Sequence, residues 1–125
     1  MYRAEIENSG TSKFRVKADN YEFAIDTKGE GCAPPSALLA SLGSCVGVYL
    51  RKYAEGAKMD LPAFTVIVEG DLAGPAPVSF RSIDVRIDLK GAAIDERRKK
   101  ALLAFIQNCP AHNTLKNAPE IRISI

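Results

Sequence analysis

Three short runs at the start of the chain place apolar residues at every second position: Tyr2, Ala4, Ile6; then Phe14, Val16, Ala18; then Tyr21, Phe23, Ile25. Side chains of a strand alternate between its two faces, so each run predicts a half-buried β-strand. Asn8-Ser9-Gly10 and Asp19-Asn20 separate the runs. These residues favour turns because they tolerate positive φ and bond nearby backbone. The expectation is a β-meander with one wet face. That face carries Arg3, Glu5 and Glu7, then Lys13, Arg15 and Lys17, then Glu22 and Asp26, mixed in sign and suited to cross-strand pairing.

The pattern changes after the glycine-containing loop from Thr27 to Ala33. Pro35 disfavours helical geometry at Pro34 but suits a first helical turn, so a helix is expected to begin at Pro35 or Ser36 and to run to about Glu55. Leu38, Leu39, Leu42, Cys45, Val46, Tyr49, Leu50 and Tyr53 give it a wide apolar surface. Ala40, Gly43, Ser44 and Gly47 form a strip of small residues along it. Gly43 and Gly47 together cost about 2 kcal/mol of helix propensity relative to alanine, and close approach of another backbone would explain their presence. The helix is therefore expected to be central and tightly packed, with Gly56 as its stop.

Phe64 to Glu69 reads as a strand and is followed by the turn-forming stretch Gly74-Pro75-Ala76-Pro77. Ile83, Val85, Ile87 and Leu89 alternate with Asp84, Arg86, Asp88 and Lys90, which predicts another strand. Asp95 can cap a second helix, whose stripe of Ile94, Arg98, Ala101, Leu102, Phe105, Ile106 and Cys109 follows the 3.6-residue period. Pro110 interrupts it and suits the start of a short third helix ending near Lys116. Ile121, Ile123 and Ile125 predict a last strand. The order βββ-α-ββ-αα-β has no regular strand-helix alternation, so the fold class is α+β with antiparallel sheets, in one domain over 1–125.

Composition narrows the functional classes. A chain of 125 residues with 46% hydrophobic residues supports only a modest core, and a partner subunit would add to it. Seventeen Lys and Arg against fifteen Asp and Glu leave a charge of +2, and no Trp is present, so nucleic-acid binding is disfavoured. The N-terminal residues contain no apolar run like that of a signal peptide, and the span Ala33 to Leu50 is too short and serine-containing for a membrane helix. A cytoplasmic protein without membrane partners is expected. Three cysteines, an odd number, fit free thiols in a reducing compartment.

Those thiols are the candidate chemistry. Cys45 lies mid-helix on the apolar side, where a cysteine reads first as a small hydrophobe. To react as a thiolate it would need a cation from another element, and Lys13 and Arg15 are candidates by elimination. Cys109 stands at the expected N-cap of the third helix, where exposed N–H groups favour a thiolate, although a cap cysteine with no task reads equally well. Cys32 is a loop thiol. Cys109-Pro110-Ala111-His112 has C-x-x-H spacing, but a structural zinc site needs four ligands and no paired motif supplies the rest, so no metal is expected. His112, the single histidine, could tune Cys109 or cap its helix. No nucleophile elbow, phosphate loop or dinucleotide fingerprint occurs.

Pro34 through Cys45, with Leu38-Leu39 and Leu42-Gly43-Ser44-Cys45, followed by Cys109-Pro110 and Leu115, resembles the OsmC/Ohr family, whose pattern is a leucine-rich helix ending L-G-x-C and a later C-P-x-x-x-x-L. The likeness covers nearly the whole chain. It implies an intertwined homodimer with sites at the subunit interface and a thiol-dependent reduction of organic hydroperoxides. By the same resemblance, Cys45 would be the peroxidatic thiol and Cys109 the resolving one, with Cys32 a bystander. An external dithiol would restore both, with no cofactor. The family's reductases carry a Glu shortly before the helix cysteine, paired with an Arg from the N-terminal strands. Here Pro35 and Ser36 stand at the Glu positions, and Arg15 or Lys13 matches the Arg only by place in the second strand. The alternative expectation is a non-enzymatic protein that senses redox state or binds a small apolar ligand.

Overall fold

A computed structural model describes Met1 to Ile125. The chain divides into two compact units, Met1–Ala40 and Ser41–Ile125. The first contains β1 (Ala4–Asn8), β2 (Lys13–Ala18) and β3 (Tyr21–Asp26), an antiparallel sheet in the order β1-β2-β3. Ile6 faces Val16, and Val16 faces Phe23, so the alternating apolar residues share one side as expected. On the other side Glu7 takes hydrogen bonds from both Arg15 and Lys17. The Arg15 guanidinium, then the Lys17 ammonium, hold the Glu7 carboxyl below its ordinary value.

β3 leads into a loop that folds back on it. The Asp26 N–H donates to the Cys32 carbonyl at 3.1 Å, and Cys32 bridges Ile25. Gly31 has no room for a side chain, since a Cβ there would lie 2.6 Å from the Ala24 carbonyl oxygen. Asp26 is buried at 4% exposure. The Lys28 N–H at 2.8 Å, then the Ser12 hydroxyl and the Glu30 N–H, hold its carboxyl below the ordinary value. The stability this contributes is present above the unfolded carboxyl value of about 3.9 and is lost as pH falls through the depressed folded value. Acid unfolding of Asp26→Asn should accordingly show a shallower pH dependence than the parent chain. Superimposable acid limbs would remove Asp26 from that role.

α1 (Pro34–Gly56) starts one residue earlier than the proline rule suggests. Its first bond is Ala37 N–H to the Ala33 carbonyl at 3.0 Å, so Pro34, Pro35 and Ser36 occupy the positions whose N–H groups have no helical partner, and the prolines give up no hydrogen bond. Only one stripe of the helix, Leu42, Gly43, Val46, Leu50 and Ala54, is buried, while Leu38 and Val48 are 43% and 52% exposed. The helix is thus less enclosed than its sequence predicts.

In the second unit, β4 (Thr65–Glu69) pairs antiparallel with β7 (Asp84–Asp88); β4 starts one residue later than the periodicity predicts, and β7 is trimmed at both ends. Between them β5 (Leu72–Ala73) and β6 (Ser79–Phe80) form a small hairpin around the Gly/Pro stretch, which the sequence pattern does not announce. The small strip on α1 meets side chains rather than another backbone: a Cβ on Gly43 would lie 2.9 Å from Val68 Cγ2, and one on Gly47 3.5 Å from the Phe64 ring. α2 (Glu96–Ile106) is capped by Asp95, whose carboxylate accepts the Arg98 N–H at 2.7 Å. α3 (Pro110–Lys116) follows as expected. Leu42, Val46, Leu50 and Ala54 of α1 pack with Met59, Leu61, Leu102, Ile106 and Cys109 into one core.

The expected C-terminal strand is absent. Ile121, Ile123 and Ile125 are exposed and pair with no strand of this chain. Alternation defines two faces but supplies no neighbour, and a strand exists only where another edge receives its N–H and C=O groups.

Candidate thiol site

Two of the three cysteines meet. Cys45, half-buried on α1, packs against the core that holds Cys109, which is fully buried at the junction of α2 and α3. Helix spacing explains the first placement. Cys45 sits between Leu42 and Val46, which anchor α1 in the core, and is partly buried against that core itself. Pro110 explains the second, since it ends α2's path and leaves Cys109 in extended geometry (φ −56°, ψ 125°) as the N-cap of α3. The Cys109 Sγ accepts the His112 N–H at 3.4 Å.

The environment of Cys109 favours its protonated form. Burial pushes the thiol up first, and the neighbouring Cys45 adds to that, against the opposing effect of the His112 and Ala111 N–H groups. The helix-cap donors that favour a thiolate on sequence grounds are present but outweighed. Both cysteines are free thiols, and Cys32 is a third, exposed in the first unit.

Lys13 and Arg15 lie on β2 of the first unit, and each engages a carboxylate there: Lys13 Nζ is 3.3 Å from Glu30, and Arg15 pairs with Glu7. No group of three or more His, Cys, Asp or Glu side chains converges as metal ligands would. No helix is long and apolar enough to cross a membrane.

A cavity of about 470 Å³ is lined by near neighbours in sequence of both Cys45 and Cys109, though by neither cysteine itself. Its lining includes Leu42 and Val46, which bracket Cys45 in sequence, and Ile106 and His112, three residues either side of Cys109. Ile83 and Ile87 extend the apolar lining, and Arg86 and Gln107 add polar groups. Sequence reasoning missed Arg86 and Gln107. Arg86 reads as an ordinary solvent-side position of a strand, and Gln107 carries no signal of its own; only the folded chain brings the two to one cavity.

Residues 27–124 match the family of OsmC-like proteins. The chain belongs to the OsmC-like family. A curated hydroperoxide reductase of Mycoplasma genitalium is 26% identical over 121 residues, covering 91% of this chain and 86% of that protein. Among solved structures, an OsmC-like protein from Mycoplasma pneumoniae superposes with a TM-score of 0.83 at 21% identity, covering 94% of this chain and 89% of the other. An organic hydroperoxide resistance protein from Legionella pneumophila gives 0.66 at 17% identity, covering 93% and 89%. These likenesses show the OsmC-like α+β fold for the present chain.

Proposed function

We propose that this OsmC-like protein is a thiol peroxidase that reduces organic hydroperoxides with Cys45 as the attacking thiol and Cys109 as the resolving one. The observation that carries the reading is the packing of a half-buried thiol against the core that holds a fully buried one. In the first step the Cys45 sulfur attacks the terminal oxygen of the hydroperoxide. An S–O bond forms, the O–O bond breaks, and the departing alkoxide takes up a proton to leave as alcohol. Cys109 then attacks the Cys45 sulfenic acid, forming the S–S bond while hydroxide leaves with the Cys109 proton as water. An external dithiol reduces the disulfide, and no bound cofactor is required. Resolution needs the two sulfurs to close to about 2 Å.

The apolar lining of the adjacent cavity favours substrates with a hydrocarbon body. The name of the Mycoplasma genitalium relative, a hydroperoxide reductase, supports a hydroperoxide as the reacting group. Lys13 and Arg15 remain the proposed cations for activating Cys45, by elimination, and the Glu that the family's reductases pair with their Arg is replaced here by Pro35 or Ser36. The free thiols suit action in the reducing cytoplasm.

We also propose a homodimer. The strand-like Ile121-Ile123-Ile125 segment has no partner in its own chain, and Ile6 and Phe23 leave the β1-β2-β3 sheet 56% and 45% exposed. A second copy would cover such surfaces, and light scattering should return twice the chain mass. A monomer at micromolar concentration would remove this part of the reading.

The decisive assay follows consumption of cumene hydroperoxide with dithiothreitol as reductant. Sustained turnover supports the peroxidase. A single oxidation of the thiol pair without turnover would favour the redox-sensing alternative.

A further inference from the structure

His112 borders the apolar cavity, and its Nδ1 is the one side-chain nitrogen or oxygen of the chain that is buried without a hydrogen-bond partner. A proton on that atom would be a donor sealed away from both water and any acceptor, which costs about 1–3 kcal/mol. Of the two neutral tautomers, the one with its proton on Nε2 avoids that sealed donor. Nε2 is not sealed in the same way, and the open space that His112 borders is the cavity. The other polar groups there are differently engaged. Arg86 is 67% exposed and leans toward Glu69 at 3.9 Å, and Gln107 is the exposed C-cap of α2.

We infer that His112 is a substrate-binding residue whose Nε2–H donates a hydrogen bond to the proximal oxygen of an apolar hydroperoxide lodged in this cavity. The inference rests on the peroxidase reading and adds to it the group that receives the leaving oxygen. Its position fits that task. The backbone of His112 already donates to the Cys109 sulfur, and Leu42 and Val46, which line the same cavity, flank Cys45 in the helix sequence. Substrate held against His112 thus lies beside the helix segment that carries the attacking thiol. As the Cys45 sulfur bonds to the terminal oxygen and the O–O bond breaks, electron density gathers on the proximal oxygen. A fixed N–H donor there gains strength as the reaction proceeds.

A single histidine allows the contact to be read directly. In ¹⁵N-labelled protein the long-range imidazole correlations should show the Nε2–H tautomer. Addition of 2-phenyl-2-propanol, the alcohol product of cumene hydroperoxide, should shift the Nε2 signal of Cys45→Ser protein. An Nδ1–H tautomer, or a signal that the alcohol leaves unmoved, overturns the inference. Kinetics supply the second arm. His112→Leu should lose about tenfold in kcat/KM for cumene hydroperoxide, the scale of one hydrogen bond. His112→Gln, whose side-chain amide reaches the Nε2 position, should recover most of that loss, whereas equal losses in both variants count against the contact. Turnover that survives in Cys45→Ser overturns the peroxidatic assignment instead, and leaves the alcohol-binding result as the separate test of His112.

Discussion

Cys45→Ser should reduce hydroperoxide turnover to the uncatalysed background, a loss on the order of a thousandfold or more. A serine hydroxyl has nearly the shape of the thiol but is far less ionised and far less nucleophilic at neutral pH, so the fold survives while the S–O bond cannot form. Cys109→Ser should behave differently. Its Cys45 still attacks peroxide, but the sulfenic acid has no neighbouring thiol and accumulates, where a dimedone-type reagent can trap it. The pattern to measure is loss of peroxide consumption in the first variant and a trapped sulfenic acid in the second. Full turnover without Cys45, or trapping at Cys32 instead, would dismantle the proposed division of roles.

The largest stability effect is expected at Leu50→Ala, with a loss of about 2–5 kcal/mol of unfolding free energy. Leu50 has 0% exposure and lies in the one core cluster, among residues of α1, α2 and the segment around Met59 and Leu61. Removing three carbons there forfeits their transfer energy and leaves a cavity between helices that cannot collapse freely. Neighbouring Arg51 limits that collapse, because its guanidinium donates to the Leu61 carbonyl at 2.6 Å and stacks 5.2 Å from the Phe64 ring. Urea unfolding followed by circular dichroism measures the loss. A change below about 1 kcal/mol would mean that the core is looser than its packing indicates.

The strands and helices with their own periodicity were legible in the chain. β1, β2 and β3 follow the two-residue alternation, and Asp95 and Pro110 mark the starts of α2 and α3 through capping chemistry that acts within four residues. Features that depend on distant partners were not. The Ile121-Ile123-Ile125 alternation is as regular as that of β7, yet only β7 finds an edge in this chain. The hairpin of β5 and β6 involves two-residue strands, too short to show any period.

The thiol site divides in the same way. Cys109 could be placed at a helix cap from Pro110 alone, but the balance at its sulfur could not, because burial and the approach of Cys45 are tertiary effects that outweigh the local N–H donors. Sequence reasoning also had no means of bringing Cys45 to Cys109, and it was the family resemblance that suggested the pair. Arg86 shows the converse case, where a polar residue that looks solvated borders an apolar cavity, together with Gln107, once the chain is folded.

Gly43 lies two residues before Cys45, and even a single carbon added there would press to 2.9 Å from Val68. A larger residue would act as a shim, lifting this turn of α1 off β4 and carrying the thiol two positions on with it. The missing side chain thus sets a mechanical tolerance, and the reach between two sulfur atoms is gauged by an atom the chain leaves out.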